Sequence, residues 1–231
     1  LKRNCKFLVY INDYHRWKID EVLHVDWTLF SKKNINKTEL NSYLYTPLRK
    51  EFWSKSKFKV KKKIKKILVF FGGGDIHNLS DRFIKIMPEL YKNYHLTVIS
   101  KKKKKLKNVK FLKFMKAKEL KKNMLNCDLV ITSGGQTLYE LACIGCPALV
   151  VSDTKYDIED INAWKKKGTI IYLGKWNRIK FNDNFKKKFK KIKFYSVRKK
   201  FSENGRELID GKGALRLAKK IIENVKYNFK K

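Results

Sequence analysis

The chain has 231 residues, of which 43% are hydrophobic, and this excludes an intrinsically disordered protein because such proteins have too few apolar residues to form a core. Its formal net charge is +36, from 57 lysines and arginines against 21 acidic residues, which is a charge typical of proteins that bind nucleic acid or anionic membranes. The excess is almost all lysine spread along the chain, whereas arginine is the usual reader of bases, so we expect weak binding to polyanions and no specific nucleic-acid partner.

The first 56 residues contain two short apolar runs, Phe7–Ile11 and Val22–Val25, which predict strands. The first run begins close to Leu1, and the chain does not start with methionine, so this part looks like the end of a larger N-terminal domain. Residues 57–66 are strongly basic and predict a linker. Residues 67–231 are then expected to form a separate C-terminal domain.

Beyond the predicted linker, short apolar strands alternate with amphipathic helices. Strands that are apolar throughout favour a parallel sheet covered on both faces, and hence a doubly wound, Rossmann-like α/β fold. The segment 178–211 is very basic and poorly patterned, and it predicts a loop with one or two short helices. The predicted strands are Ile67–Phe71, Leu96–Ser100, Val109–Leu112, Leu129–Thr132, Ala148–Val151 and Thr169–Leu173. The predicted helices are Ser80–Tyr91, Ala117–Asn126, Gln136–Ile144, Glu159–Lys167 and Lys212–Lys226.

Two glycine-rich turns follow two of these strands. The first contains Gly72, Gly73 and Gly74, and the second contains Gly134 and Gly135 directly before a helix. Glycine lets the backbone come close to a phosphate, and a helix start offers free N–H groups. Both turns belong to the carboxyl ends of strands, where open α/β sheets bind ligands. Neither turn is a dinucleotide-binding fingerprint or a Walker loop.

Glu140 is one turn into the helix that the second glycine turn opens. One interpretation is a glutamate that satisfies the free amides of the helix start. The other is a carboxylate that accepts hydrogen bonds from two adjacent ribose hydroxyls, since both of its oxygens are acceptors. The position alone does not decide between them.

No residue pattern identifies a catalytic nucleophile, a catalytic base or a metal site. His77 follows the first glycine turn and is interpreted as a solvated loop histidine rather than a phosphate ligand. Cys143 and Cys146 form a Cys-Ile-Gly-Cys motif without a second such pair, so we expect small buried side chains rather than a zinc or redox site. With no predicted disulfide, no secretory signal and no apolar run of about 20 residues, the sequence is typical of a cytoplasmic protein.

The stretch from Asp128 to Gly174 resembles the C-terminal half of the GT-B nucleotide-sugar proteins, which include the lipid II GlcNAc transferases. The matching residues are DLVITSGGQTLYELACIGCPALVV, which begin at Asp128. Three further segments are similar to the UDP-sugar hydrolases of pseudaminic acid biosynthesis and their spore-coat-polysaccharide relatives. These segments are TPLRKEF at 46–52, FFGGGD at 70–75 and ELIDGKGA at 207–214. The resemblance covers most of the chain in the same order.

The resemblance implies a UDP-sugar ligand, with Glu140 on the ribose. It also implies that water attack releases UDP from a 6-deoxy diacetamido sugar, UDP-2,4-diacetamido-2,4,6-trideoxy-β-L-altropyranose, without a cofactor. The residues that would hold the diphosphate are Gly73, Gly74, Ser133, Gly134, Gly135, Gln136 and Thr137.

Two departures from the family pattern bear on activity. Roughly the first third of a full-length member has no counterpart here, and that part carries the family's catalytic histidine. An Asn-Gln pair of the family also falls near Tyr156 and Asp157, which are different residues. Three alternatives stay open: a hydrolase portion, a family-28-like glycosyltransferase portion, or a non-catalytic nucleotide-sugar-binding remnant or partner subunit that works with a second chain.

Overall fold

A computed structural model describes residues 7–11, 19, 22–31, 39–53, 57–73, 75, 77–101, 104–155, 157–176 and 181–228. The strands are β1 (Val9–Ile11), β2 (Leu23–Asp26), β3 (Glu39–Asn41), β4 (Lys66–Phe70), β5 (His95–Ile99), β6 (Val109–Leu112), β7 (Leu129–Thr132), β8 (Ala148–Ser152) and β9 (Ile170–Lys175). The helices are α1 (Leu79–Ile86), α2 (Pro88–Asn93), α3 (Ala117–Asn126), α4 (Gln136–Ile144), α5 (Asp157–Lys166), α6 (Phe181–Ile192), α7 (Tyr195–Leu208) and α8 (Gly213–Asn228). Two short 3₁₀ helices, Tyr43–Tyr45 and Lys50–Trp53, follow β3.

The larger sheet has six parallel strands in the order β6-β5-β4-β7-β8-β9. This is the doubly wound arrangement, in which the chain moves outward from β4 in one direction and then from β7 in the other. The predicted α/β fold is therefore confirmed. The strands predicted from the sequence agree with these to within two residues at each end.

Both faces of the central strands β4, β7 and β8 are buried, which explains why these strands are almost entirely apolar. Along β4, Leu68 and Phe70 point to the layer formed by α3, α4 and α5. Ile67 and Val69 point to the opposite layer, formed by α1, α2 and α6. Successive side chains of a strand face opposite sides, so two separate cores form on one sheet.

The prediction that the segment 178–211 is a loop with one or two short helices is wrong. Residues 181–192 and 195–208 form two full helices, α6 and α7. On α6, Phe181, Phe185, Phe189 and Ile192 are buried at helical spacing, while most of the lysines between them are exposed. The basic residues that obscured the pattern are thus the solvent face of an amphipathic helix.

The predicted helix 80–91 is also different, because it is divided into α1 and α2 at Met87 and Pro88. Proline lacks the amide hydrogen that a continuous helix needs, but it fits the first position of a new one. Pro88 therefore begins α2.

The smaller sheet contains β1, β2 and β3, all parallel, with β2 in the centre. Its third strand was not predicted. Leu217 of the C-terminal helix α8 packs with Leu23, Val25 and Leu40 of this sheet. The C-terminal helix α8 therefore covers the smaller sheet, which is formed by residues near the start of the sequence.

The predicted linker packs against the larger sheet and its helices. Phe58 is 4% exposed and belongs to the core on the α4 side. The backbone amides of Lys65 and Lys66 donate to the Asp128 carboxylate at 2.8 Å. These contacts fix the start of β4 and hence the position of the turn that follows it.

None of the helices that the structure describes is long and apolar enough to cross a membrane.

Candidate functional site

The two glycine turns meet where the winding of the larger sheet reverses. Strands β4 and β7 are neighbours, with Phe70 opposite Thr132 in the parallel register. The connections after these strands run to opposite faces of the sheet, which opens a crevice at their carboxyl ends. Gly73 lies in the first turn, and Gly74 lies outside the described residues.

The second turn leaves open space above the start of α4. Gly135 has a φ of +89° and precedes Gln136, the first helical residue, and no side chain caps this helix start. A Cβ atom built at Gly73 or Gly135 would have no other atom within 4 Å, whereas one at Gly134 would be 3.3 Å from Ile161. Two glycines thus border open space and the third packs against α5. Amides at a free helix start are suited to an anion.

The remaining predicted residues of the second turn lie beside this space. Ser133 is half-buried and Thr137 is buried. The side-chain amide of Gln136 donates to the Pro47 carbonyl at 3.2 Å. The turn is therefore in contact with the segment at 46–52 that precedes the larger sheet.

Glu140 is paired with an arginine rather than with the helix start. Arg49 donates from Nε to Oε1 at 2.6 Å and from Nη2 to Oε2 at 2.9 Å. The Glu140 side chain is 3% exposed and that of Arg49 is 44% exposed. Burial raises the pKa of Glu140, and Arg49 opposes this by favouring the carboxylate. The capping interpretation is wrong, and the carboxylate is held by a planar, bidentate pair.

A cavity of about 360 Å³ lies beside this pair, on the β4 and β5 side of the crevice. Apolar side chains and a few polar groups line it, a composition typical of small-molecule sites. Its lining residues are Arg49, Phe70, Gly73, Ile99, Phe114, Met115, Leu120, Gln136, Thr137 and Glu140.

Asp75, at the end of the first glycine turn, has a structural task. Its two carboxylate oxygens accept from the backbone amides of Leu79 and Ser80, at 2.7 and 3.2 Å. It therefore satisfies the start of α1. The Asp75 carboxylate thus holds the end of the first glycine turn against the start of α1.

A histidine–aspartate pair lies on the other side of the crevice, and the sequence analysis did not anticipate it. His77 Nδ1 contacts Asp153 Oδ2, and the two side chains are 52% and 20% exposed. His77 follows β4 and Asp153 follows β8. Because 76 positions separate these residues, no local spacing in the sequence signals the pair.

A buried carboxyl group lies beneath the second glycine turn. Asp160 on α5 is 1% exposed. Burial raises its pKa to about 7, and the nearby Asp157 carboxylate adds to the effect, while Trp164 and the backbone of Gly135 oppose it. Neither carboxyl oxygen has a partner with ordinary hydrogen-bond geometry.

Tyr156 and Asp157 occupy the positions where the resembled proteins have an Asn-Gln pair. Asp157 accepts from the Thr154 hydroxyl at 2.9 Å, and Tyr156 lies outside the described residues.

The three cysteines that the structure describes behave as packing residues, and Cys5 lies outside the described residues. Cys127, Cys143 and Cys146 are free thiols, and Cys127 and Cys146 are buried. Burial raises the pKa of Cys143 to about 11. A thiol that stays protonated at neutral pH is a poor nucleophile and a poor metal ligand.

One curated protein resembles part of the chain. The spore coat polysaccharide biosynthesis protein SpsG of Bacillus subtilis (strain 168) is 30% identical over 94 residues, which are 41% of this chain and 28% of that protein. No family model matches the chain.

Several solved structures resemble the whole fold. A putative UDP-N-acetylglucosamine 2-epimerase from Listeria monocytogenes matches with a TM-score of 0.56 and 16% identity, over 89% of this chain and 60% of that one. MurG of Acinetobacter baumannii matches with a TM-score of 0.62 and 12% identity, over 87% and 67%. The spinosyn rhamnosyltransferase SpnG complexed with thymidine diphosphate matches with a TM-score of 0.57 and 14% identity, over 87% and 57%.

At these identities the structural matches establish the fold alone, which is that of the GT-B proteins. The chain spans about 60% of the length of the Listeria protein.

Proposed function

We propose that this chain binds a UDP-sugar in the crevice between the two glycine turns and forms the C-terminal portion of a nucleotide-sugar enzyme. The observation that carries the proposal is the buried carboxylate of Glu140, fixed by Arg49 beside a cavity that opens onto both glycine turns. In this proposal residues 67–231 form the nucleotide-sugar-binding domain and residues 1–56 form the last part of an N-terminal domain.

Glu140 has the chemistry to bind the ribose. Each carboxylate oxygen has two lone-pair directions, and Arg49 uses one on each oxygen. The remaining directions suit the two adjacent ribose hydroxyls. Burial raises the pKa of Glu140, and Arg49 opposes that rise, so Arg49 favours the carboxylate form, in which both oxygens are acceptors. The base then lies in the cavity against Phe70, Ile99 and Phe114.

The diphosphate lies over the glycine turns. Its ligands are the backbone amides of Gly73, Gly74, Ser133, Gly134, Gly135, Gln136 and Thr137. The open space above Gly73 and Gly135 leaves room for phosphate oxygens to approach the backbone. The start of α4, which no side chain caps, supplies backbone amides and the positive end of a helix dipole.

The reaction that we favour is hydrolysis, in which water displaces UDP from the sugar and the turns stabilise the charge that develops on the leaving diphosphate. The motif resemblance to the UDP-sugar hydrolases supports this choice, and the partial similarity to a spore coat polysaccharide biosynthesis protein supports a role in polysaccharide biosynthesis. Transfer of the sugar to an acceptor is the second candidate. It is supported by the structural match to a rhamnosyltransferase that was solved with thymidine diphosphate, another pyrimidine nucleoside diphosphate.

Catalysis requires groups on both sides of the crevice. A positioned base contributes roughly 10²–10⁴-fold to a rate, and closure of the site removes competing bulk water. The part of the N-terminal sheet that the structure describes has three strands. In the proposal the catalytic base belongs to a further N-terminal segment or to a partner chain, and this chain alone is a binding unit.

A hydrolysis assay tests whether this chain only binds the nucleotide sugar and needs a catalytic base from another segment or chain. We expect the 231-residue chain to release UDP from a UDP-sugar at the background rate. Adding a polypeptide that supplies the N-terminal half should raise the rate at least 100-fold, which is the smallest effect typical of a positioned base. Glu140→Ala should abolish that gain. His95→Gln, at the amino end of β5 on the opposite edge of the sheet, is the matched control and should leave it unchanged.

Three outcomes would contradict the proposal or change it. Rapid hydrolysis by the chain alone would mean that its own residues include the base. A glycoside product in the presence of a sugar acceptor, with no free sugar, would favour the transferase. No turnover with the added half, despite UDP binding, would leave a non-catalytic binding protein.

A further inference from the structure

The His77–Asp153 pair lies across the carboxyl edge of the larger sheet. His77 belongs to the connection after β4 and Asp153 to the connection after β8, and β7 lies between these two strands. The pair therefore spans the point at which the second glycine turn leaves the sheet. It lies outside the cavity beside Glu140.

The features along this edge have a definite order. The cavity lies on the side of β4, β5 and β6, because Ile99 ends β5 and Phe114 and Met115 follow β6. The glycine turns after β4 and β7 occupy the centre. The His77–Asp153 pair lies on the far side, toward β8. A nucleotide with its ribose on Glu140 would cross the turns and direct its distal end at this pair.

We propose that His77, held by Asp153, binds the distal phosphate of the nucleoside diphosphate. The inference rests on the proposed function and assigns a ligand residue to the side of the site that the glycine turns do not cover. Asp153 accepts from Nδ1, which fixes the ring and leaves Nε2 for the ligand. When both ring nitrogens carry hydrogen, the ring donates from Nδ1 to the Asp153 carboxylate and from Nε2 to the phosphate.

Asp153 is a positioning residue in this arrangement. Its side chain is 20% exposed against 52% for His77, so the more buried carboxylate orients the more exposed ring. Without Asp153, the ring loses the acceptor that holds Nδ1, and with it the orientation of Nε2 toward the ligand.

The test compares the affinities of UMP and UDP, which differ only in the distal phosphate. Calorimetry is carried out with uridine, UMP and UDP on the wild-type chain and on variants. Wild type should bind UDP more tightly than UMP. His77→Gln should weaken UDP binding by about 10-fold to 100-fold, the range for a charged hydrogen bond, and should leave UMP and uridine binding nearly unchanged. Asp153→Asn should weaken UDP binding less, with the same selectivity.

Two controls separate this inference from the proposed function. Glu140→Ala should weaken uridine, UMP and UDP alike, because it acts on the ribose. His95→Gln, an exposed histidine on the opposite edge, should change none of the three affinities.

The inference is overturned if His77→Gln keeps the wild-type ratio of UDP to UMP affinity, since the pair would then be a surface ion pair only. An equal loss of UMP and UDP binding would overturn it as well, because His77 would then support the turn as a whole. If the wild-type chain binds no uridine nucleotide, the proposed function fails and this inference fails with it.

Discussion

At the residue scale, Asp160 shows how burial near the site changes a side chain's chemistry. An aspartate normally ionises near pH 4, but burial raises the pKa of Asp160 to about 7, with Asp157 adding to it. The group is therefore about half protonated at neutral pH, directly beneath the turn at Gly135. Its ionisation places a negative charge under the amides that we assign to the diphosphate.

Asp160→Asn should remove a pH dependence from the stability. Because the folded pKa is raised, the contribution of Asp160 is fully present below pH 4 and is lost as the pH rises to about 7. Moving a carboxyl pKa from near 4 to about 7 corresponds to at most about 4 kcal/mol. In urea unfolding, Asp160→Asn should gain stability relative to wild type between pH 4 and pH 7, with no further gain above that. The exposed Asp183→Asn on α6 is the control, and an equal pH profile in wild type and Asp160→Asn would contradict this.

At the element scale, α6 and α7 are joined to the segment before β4 by one buried guanidinium. Arg198 is 1% exposed and donates to the carbonyls of Ile192 and Lys193, at the end of α6. It also donates to the carbonyls of Lys61 and Lys62 at 2.7 and 2.9 Å. Burial lowers the pKa of this arginine. The carbonyl end of a helix favours a cation, and four acceptors satisfy the group.

Arg198→Met should therefore destabilise the fold by about 3 kcal/mol, because buried carbonyls would lose their donors. Methionine keeps most of the side-chain volume, so the loss reports on hydrogen bonds rather than on a cavity. Lys199→Met on the same helix is the matched control, since Lys199 is 57% exposed in an i,i+4 pair with Glu203 and should cost less than about 0.5 kcal/mol. Equal urea midpoints for the two variants would contradict the assigned role.

The elements that the sequence predicted well are those with strong local signals. Strands β4, β7 and β8 are almost entirely apolar, and α3 and α4 were predicted at their exact bounds. Helix α6 was missed because lysines outnumber its apolar residues, although Phe181, Phe185 and Phe189 recur at helical spacing. The glycine turns were found from local sequence. The Arg49–Glu140 and His77–Asp153 pairs join residues 91 and 76 positions apart, so they require tertiary structure.

At the scale of the whole molecule, the segments that resemble nucleotide-sugar enzymes converge on one region. Arg49 of the 46–52 segment pairs with Glu140 of the second turn's helix. A side chain at Gly213, in the 207–214 segment, would collide with the Thr46 carbonyl. A Cβ at Gly211 would be 2.8 Å from the Phe52 carbonyl. Gly211 and Gly213 thus allow the start of α8 to pack closely against the 46–52 segment, which carries Arg49.

The net charge of +36 has a consequence for any binding experiment. So many lysines attract phosphate groups without regard to the nucleoside, and that attraction falls steeply with salt. Recognition of uridine must therefore be measured against other nucleoside diphosphates and at more than one ionic strength.

Binding of a uridine nucleotide at Glu140 is tested most directly by the melting temperature of the protein, because a ligand that binds only the native state raises that temperature. The shifts given by UDP, ADP and GDP should be compared at low and at physiological salt, in wild type and in Glu140→Ala. We predict that UDP gives the largest shift, that this preference survives at physiological salt, and that Glu140→Ala removes it. Equal shifts from all three nucleotides that disappear together as salt is added would contradict the claim, since lysine charge alone would then explain the binding.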